Sequence, residues 1–401
     1  MKDLDLAFNF LGFYGQPDHE GLQELGRAIG ELRQLRTLDL SHNYIGVAST
    51  NKEPMGLYRI MQGISFLEHL YFLGLASNSI KEWPLRNPNG GTSHYIFSRL
   101  QGLDTLDLND NDLTLYILPI LDDVSRLQSL RSLNIRGRGV IPDPTQVVGL
   151  DYTAIKPTKI RGLEYIDISS HGFGYMPWQA VQWIGSWLST QDTARTLNVS
   201  RNALCHNMTA GASFTELIGN LVELRTLDFA SNALATQDEG DSKVVFAFAS
   251  SLARLRSLLD LDISYNDIAT RARYPSASLA ELELAIRGMS SLYTVVLYPP
   301  ASESSTPDSK FWEQMERVVR ELPRSPAINP VYIGDTTAID RYLNRFFSFQ
   351  THFDLSGMLK MISGRPDAPV LVAYLFEELA TFEELNSLDL SNNAIVGVMT
   401  T

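Results

Sequence analysis

The chain has 401 residues, of which 44% are hydrophobic and 20% are charged, and its formal net charge is −13. Acidic and basic residues are mixed along the chain, which disfavours nucleic acid or an anionic membrane as the main partner and favours a protein with a basic or mixed surface. A single cysteine, Cys205, excludes an internal disulfide framework, and no stretch approaches the roughly 18 apolar residues of a membrane span. The N-terminal residues lack the basic and apolar regions of a secretion signal, so we expect a cytoplasmic location.

Short strands are the first predicted elements, and they recur along the chain. The pattern L-x-x-L-x-L-x-x-N-x-L begins at Met1, Leu35, Leu70, Leu103, Leu130, Leu163, Ala194, Leu224, Leu258 and Leu385. A degenerate copy begins at Leu292, and successive starts up to that residue are 27 to 35 residues apart. Each copy with the segment that follows it is called a unit, named by its first residue, and its positions are numbered from that residue. Apolar residues at positions 4 and 6 alternate with polar ones, which predicts a strand with one buried face.

Helices are predicted between the strands, because apolar residues recur there at helical spacing, as in 21–32, 244–255 and 278–289. A unit of strand, turn and helix cannot bury its apolar face alone, so units must stack. We therefore predict an α/β solenoid with a parallel sheet on the inner, concave face and helices on the convex face. The asparagine at position 9 has an amide that both donates and accepts, so it is expected to satisfy the backbone of the turn. These residues are Asn9, Asn43, Asn78, Asn111, Asn202, Asn232, Asn266 and Asn393.

On these residues the sequence resembles the leucine-rich repeat family, and most closely its ribonuclease-inhibitor-like subgroup. The resemblance is specific over 1–297 and again over 385–395. It implies a right-handed, horseshoe-shaped solenoid whose inner sheet and adjoining loops bind another macromolecule. The cysteines of that subgroup are absent, so inhibition of ribonucleases is not implied.

The C-terminal part departs from the regular pattern. We predict one leucine-rich-repeat domain over 1–401, with regular repeats in 1–297, a loop insertion and degenerate repeats in 298–384, and a last, uncapped repeat in 385–401. Weak strand-like copies occur near Ile328 and Phe353. A short separate helical insert is the alternative for this region. Because terminal units normally need caps, we also expect the chain to be a fragment of a longer product or to have its ends covered by a partner.

The sequence contains no phosphate-binding loop, metal-ligand spacing or nucleophile elbow. We therefore predict a non-enzymatic protein-interaction module without a cofactor or metal. One alternative is a GTPase activator of the Ran-activating leucine-rich type, supported only by architecture. The other is the recognition arm of a larger receptor or ubiquitin ligase.

Candidate partner-binding residues follow from the outward strand positions. Position 5 is acidic in most units, which predicts an acidic stripe that includes Asp107, Asp167 and Asp228, although such residues are also common in generic repeats. Aromatic residues at outward or rim positions are candidate interface anchors. They are Tyr71, Phe72, Tyr165, Tyr265 and Tyr293.

The asparagine series is interrupted in two consecutive units, where Arg138 and His171 occupy position 9. Drift in a tolerant array would explain such a break. The alternative is that the array gives up a turn hydrogen bond to present an adaptable surface near its centre. On that hypothesis, Arg136, Arg138, Tyr165 and His171 form the centre of the binding surface, and the acidic stripe surrounds it.

Overall fold

The computed structural model describes residues 1–12, 19–46, 55–81, 83, 97, 99–143, 145, 157–234, 241–266, 276–296, 317–323, 327–328, 352–354, 368–381 and 387–389. In these residues the chain is an α/β solenoid, the fold class that the sequence predicts. Short parallel strands follow one another in chain order, and helices lie between them along the chain.

The main sheet is entirely parallel, with neighbouring strands taken in chain order. Its strands are β1 (Asp3–Asp5), β2 (Thr37–Asp39), β3 (Phe72–Gly74), β4 (Thr105–Asp107), β5 (Ser132–Asn134), β6 (Tyr165–Asp167), β7 (Thr196–Asn198), β8 (Thr226–Asp228), β9 (Asp260–Asp262), β10 (Thr294–Val296) and β11 (Ala327–Ile328). Strands β1 to β10 each cover positions 3 to 5 of a predicted unit. Their register places like positions side by side, as Leu38 beside Leu73.

Leucines at positions 1, 4 and 6 point to the helical side of the sheet and form one continuous core, in which Leu35, Leu38 and Leu40 are fully buried. The helices are α1 (His19–Gly30), α2 (Met55–Ile64), α3 (Ile117–Val124), α4 (Trp178–Ser189), α5 (Met208–Ile218), α6 (Asp241–Leu252), α7 (Ser276–Arg287) and α8 (Ala368–Leu379). The opposite face of the sheet, which carries positions 3 and 5, is called the open face.

The C-terminal region contains two further strands, β12 (His352–Asp354) and β13 (Ser387–Asp389), which pair in parallel as a separate sheet. They lie in the weak copy near Phe353 and in the Leu385 unit. Much of 298–401 lies outside the described residues, including Asn393. The single domain and its division at 297 and 384 therefore stay predictions.

The position-9 asparagines form a buried ladder of hydrogen bonds between units. Asn232 Nδ2 donates to the carbonyl oxygens of Val199 and Phe229, at 3.0 and 3.1 Å. Its Oδ1 accepts from the backbone N–H groups of Asn202 and Leu204, at 3.2 and 3.3 Å. The amide thus satisfies the backbone of the turn, as the sequence predicts, and it also joins the turns of two adjacent units. The buried members are Asn43, Asn78, Asn111, Asn202, Asn232 and Asn266.

The ladder holds a strained turn. The residue at position 8 has a positive φ in most units, a conformation that side chains other than glycine rarely adopt. These residues are Phe8, His42, Ser77, Asp110, Ser170, Arg201, Ser231 and Tyr265. In the Leu130 unit, Gly137 at position 8 lacks the positive φ, whereas Gly139 at position 10 has it (74°), as Phe10, Ser79, Ala203 and Ala233 do at position 10 of their units.

The Leu130 unit also lacks a helix in its described residues, 130–143 and 157–162. Two buried hydrogen bonds pass over it and join the flanking Leu103 and Leu163 units. The Thr114 hydroxyl lies 3.0 Å from Nδ1 of His171, and the Trp187 indole N–H donates to Oγ of Ser125 at 2.8 Å. Large side chains of the Leu163 unit therefore reach across the Leu130 unit to the Leu103 unit.

Candidate functional site

The polar side chains at position 5 of the open face have a structural duty that the sequence alone does not reveal. One side-chain oxygen of each Asp or Asn accepts the backbone N–H two residues later. Examples are Asp107 with Asn109, Asp228 with Ala230 and Asn134 with Arg136, at 2.9, 3.0 and 3.2 Å. These bonds end the strand and start the turn. They explain why Asp and Asn recur at this position whether or not a partner binds there.

Asp167 is not available as an exposed recognition residue, contrary to the prediction, because it is buried in the middle of the sheet. One carboxylate oxygen accepts the N–H of Ser169 at 2.9 Å, and the other accepts Nδ2 of Asn198 at 3.0 Å. Burial raises the pKa of Asp167, while these hydrogen bonds and the Arg136 charge act in the opposite direction. Both oxygens of its carboxylate therefore accept hydrogen bonds from this chain itself.

Asp228 is partly exposed and lies beside Asp262 in the register of β8 and β9. Desolvation, and then repulsion by Asp262, raise the pKa of Asp228 to about 7. Negative charge on this part of the open face thus increases as the pH rises through neutrality. A cation placed against the two carboxylates would relieve their repulsion.

His171 was predicted to lie on the binding surface, and this prediction is wrong because the side chain is fully buried. Its ring stacks on Phe173 with centroids 5.2 Å apart. Burial lowers the pKa of His171 to about 4, so the ring is neutral at neutral pH. Nε2 lies 2.6 Å from the carbonyl oxygen of Ile135 and must donate to it, so Nδ1 of the neutral ring accepts from the Thr114 hydroxyl at 3.0 Å. His171 replaces the ladder asparagine with a longer side chain that reaches across the Leu130 unit.

Arg138 does reach the surface. Its Nε donates to the carbonyl oxygen of Asp110 at 2.9 Å and lies 3.3 Å from the carboxylate of the same residue. A second bond, from Ser77 Oγ to Asp110 Oδ2 at 2.8 Å, holds that carboxylate in place. Arg136 and Tyr165 are both half-buried on neighbouring units, Tyr165 in β6 and Arg136 just after β5. The Arg138 side chain is therefore held against Asp110.

The other aromatic candidates divide into buried and exposed residues. Phe72 is only 7% exposed, so its predicted role as an exposed anchor is wrong; it lies mid-sheet between Thr37 and Thr105 in register. Tyr71 is half-buried, whereas Tyr265 and Tyr293 are exposed near the far end of the main sheet.

Two residues that the sequence analysis missed are Val140 and Ile141, which are 49% and 63% exposed. They follow Arg138 and Gly139 in the chain, beyond the repeated positions of the Leu130 unit. The available signal was the lack of helical periodicity after Arg138, where Gly and Pro punctuate the sequence.

Within the described residues, no three His, Cys, Asp or Glu side chains converge where a metal ion could bind. In the same part of the chain, no helix has the length and apolar character needed to cross a membrane.

The chain is similar to solved structures. No protein-family model matches the chain, and neither does any curated protein. Among solved structures, the leucine-rich repeat-containing protein LegL7 from Legionella pneumophila is similar over 96% of this chain and 89% of its own. The TM-score is 0.36 and the sequence identity is 13%.

Proposed function

We propose that this protein is a non-enzymatic interaction module that binds a partner protein across the open face and the loop after β5. The observation that carries the proposal is the pair of exposed apolar side chains, Val140 and Ile141, which follow Arg138 and Gly139 in the chain. Among the described residues, these are the only two exposed large apolar side chains that are adjacent in sequence, and they lie close to an arginine that Asp110 holds, which suits a contact surface.

The central patch consists of Arg136, Arg138, Val140, Ile141 and Tyr165. Its members combine apolar area with two guanidinium groups, the composition that favours hot spots at protein interfaces. Ser77 and Asp110 fix the Arg138 side chain before binding, which lowers the entropy lost when a partner orders it.

Charge supports a partner with a basic or mixed surface. The chain carries a formal net charge of −13, and Asp107 and Asp228 remain partly exposed on the open face. Complementary charge around a patch mainly raises the association rate, because it steers the encounter. We therefore expect basic groups of the partner to lie over β4 and β8.

The proposal is tested by capturing partners on the immobilised chain and measuring the affinity of each by calorimetry. Arg136→Ala and Tyr165→Ala should each weaken binding by more than about 1 kcal/mol, and Ile141→Asp should do so as well. Arg256→Ala is the matched control, because Arg256 is an exposed arginine in the turn between α6 and β9. Its affinity should equal that of the wild type.

Unchanged affinity in both Arg136→Ala and Tyr165→Ala would eliminate the central patch as the binding centre. Acceleration of GTP hydrolysis by a small GTPase, with catalytic amounts of this chain, would instead support an activator of the Ran-activating type. Stoichiometric binding without turnover is the result that the proposed module requires.

A further inference from the structure

The turns that lead into the strands form one edge of the array, which is called the entry edge. Strands β2 to β9 are parallel and in register, so the turns before them lie side by side. The six residues before each of these strands include eleven basic and six acidic side chains in total, although the whole chain has a net charge of −13. The entry edge therefore favours an acidic partner, in contrast to the acidic stripe of the open face.

Several of these basic side chains are neutralised within the array. Arg131 lies 3.6 Å from the carboxylate of Asp104, and Lys159 lies 2.5 Å from that of Asp192. Ion pairs of this kind leave little charge for a partner. The cations that have no carboxylate beside them are therefore the ones that remain to attract an acidic group.

Three residues of the entry edge, Arg33, Phe66 and Arg99, are called the arginine–phenylalanine cluster. Cζ of Arg33 lies 5.3 Å from the centroid of the Phe66 ring, and Cζ of Arg99 lies 5.6 Å from it. Nη1 of Arg33 also donates to the carbonyl of Phe66 at 3.1 Å. In the described part of the chain, neither arginine lies within ion-pair distance of a carboxylate. The ring thus holds two guanidinium groups whose charge no described carboxylate neutralises.

The cluster is accessible and spans three successive turns. Phe66 is 47% exposed, and both arginines are exposed. Arg33 precedes β2, Phe66 precedes β3 and Arg99 precedes β4, so the two guanidinium groups reach the ring from the turns on either side of it. A ligand that lies along the edge therefore meets a cation, an aromatic ring and a second cation in that order.

The spacing within the cluster favours an extended segment. In an extended chain, side chains at i, i+2 and i+4 lie on one face, roughly 6.6 Å apart from one to the next. The guanidinium carbons of the cluster lie at similar distances, 5.3 and 5.6 Å, from the ring centroid. Carboxylates at i and i+4 can each form charge-assisted hydrogen bonds with one guanidinium group, while an apolar residue at i+2 covers the exposed part of the ring.

Acidic residues beside the cluster disfavour a continuous polyanion. Glu31 lies two residues before Arg33, Glu68 lies two residues after Phe66, and both are exposed. A nucleic acid carries a phosphate at every nucleotide, so it would meet these carboxylates along the edge. A protein segment with only two carboxylates avoids that repulsion.

We propose that the arginine–phenylalanine cluster binds an acidic, extended segment of a partner protein, in which an apolar residue lies between carboxylates at i and i+4. Each carboxylate pairs with one arginine, and the apolar residue contacts Phe66. The cluster shares no residue with the central patch, so this binding does not rest on the proposed function and either can fail alone. With both sites occupied, one chain holds two partners of opposite charge.

The probe is a fluorescently labelled peptide of sequence GSESLSEGS, which has glutamates at i and i+4 and leucine at i+2. One control peptide, GSQSLSQGS, removes the two charges, and the other, GSESSSEGS, removes the apolar residue. Binding to the whole chain is measured by fluorescence anisotropy at low ionic strength. We expect the glutamine peptide to bind about tenfold more weakly or worse, and the serine peptide about threefold more weakly or worse.

Variants of the whole chain test the individual residues. Arg33→Ala, Arg99→Ala and Phe66→Ala should each weaken the binding of GSESLSEGS by about fivefold or more. Urea unfolding should show midpoints close to that of the wild type, because all three side chains are exposed. Arg256→Ala is the matched control: Arg256 precedes β9 by four residues, as Arg33 precedes β2, and contacts no aromatic ring among the described residues. Its affinity should equal that of the wild type.

Three results would overturn the proposal. They are absence of binding of GSESLSEGS at millimolar concentration, equal affinity for the glutamine peptide, and equal losses of affinity in Arg256→Ala and Arg33→Ala, which would assign the binding to the charge of the whole edge. Competition by an oligothymidylate at a lower concentration than the peptide would overturn the choice of a protein segment. Self-association of the chain that Arg33→Ala abolishes would overturn the choice of a partner protein, because it would identify a second copy as the occupant.

Discussion

Replacing Asn232 with alanine should destabilise the protein more than an ordinary surface substitution. The side chain is fully buried and makes four hydrogen bonds to backbone groups. The loss of the amide does not affect the four backbone groups equally. The carbonyl of Val199 keeps a second donor, Nδ2 of Asn202 at 3.0 Å, and the carbonyl of Phe229 keeps Nδ2 of Asn266 at 2.9 Å.

The two backbone N–H groups determine the magnitude. Asn202 N and Leu204 N donate to Oδ1 of Asn232 and lie in the interior, so alanine leaves both without that acceptor. An unsatisfied buried donor costs about 1–3 kcal/mol, so Asn232→Ala should cost about 2–6 kcal/mol. Asn9 is the matched control: it holds the same position in the Met1 unit but is exposed, so Asn9→Ala should change stability by less than about 0.5 kcal/mol.

Equilibrium unfolding in urea measures the cost, and hydrogen exchange locates it at the amides of Asn202 and Leu204. Both amides should exchange faster in Asn232→Ala and unchanged in Asn9→Ala. An unfolding midpoint equal to that of the wild type, with both amides still protected, would refute the conclusion that the ladder asparagines stabilise the turns through their hydrogen bonds.

Three further predictions concern His171, Ser125 and Asp228. The folded pKa of His171, about 4, lies below its ordinary value of 6.5, so the contribution of the neutral ring to stability is complete above pH 6.5 and is lost as the pH falls towards 4. His171→Asn should therefore reduce the change in unfolding free energy across that pH window by about 3 kcal/mol, measured by urea unfolding. An unchanged pH dependence would contradict the buried neutral ring. Ser125→Ala should lower the free energy of unfolding by about 1–3 kcal/mol, measured by thermal or urea unfolding, because it leaves the Trp187 indole N–H without its acceptor. Ser186→Ala is the control, because Ser186 in α4 donates to a backbone carbonyl as Ser125 does but accepts no indole N–H, and it should cost less than half as much. The pKa of Asp228 is raised to about 7, so the folded protein favours the protonated carboxyl, and this contribution to stability is present below pH 3.8 and is lost as the pH rises through about 7. Asp228→Asn should therefore stabilise the protein at pH 8 and change its stability little at pH 4. Equal effects at both pH values would count against repulsion between Asp228 and Asp262.

The strands of the main sheet were predictable because their signal is local and repeated. Positions 4 and 6 alternate with polar residues in each copy, and β1 to β10 occupy the predicted positions. The ladder asparagines were predictable for the same reason, since an amide that follows each strand has only the turn to bond. Stacking of the units then followed from the need to cover one apolar face.

The candidate site was less predictable because it depends on neighbours distant in sequence. His171 looked like a lost asparagine, yet its role depends on Thr114, 57 residues earlier. Asp167 looked outward by alternation, but contacts from adjacent strands bury it. Val140 and Ile141 lie beyond the repeated positions of their unit, so the pattern of the repeat made no prediction about their exposure.

The two hydrogen bonds that pass over the Leu130 unit have a consequence for how the array unfolds. In a stack whose units contact only their neighbours, unfolding can stop at any boundary between units. Here the bonds of Thr114 to His171 and of Ser125 to Trp187 tie the Leu103 unit to the Leu163 unit. Unfolding that starts at either end of the array must break both hydrogen bonds before it can separate the Leu103 unit from the Leu163 unit. The middle of the array therefore opens as one cooperative block, and a boundary placed at Leu130 or Leu163 would divide that block.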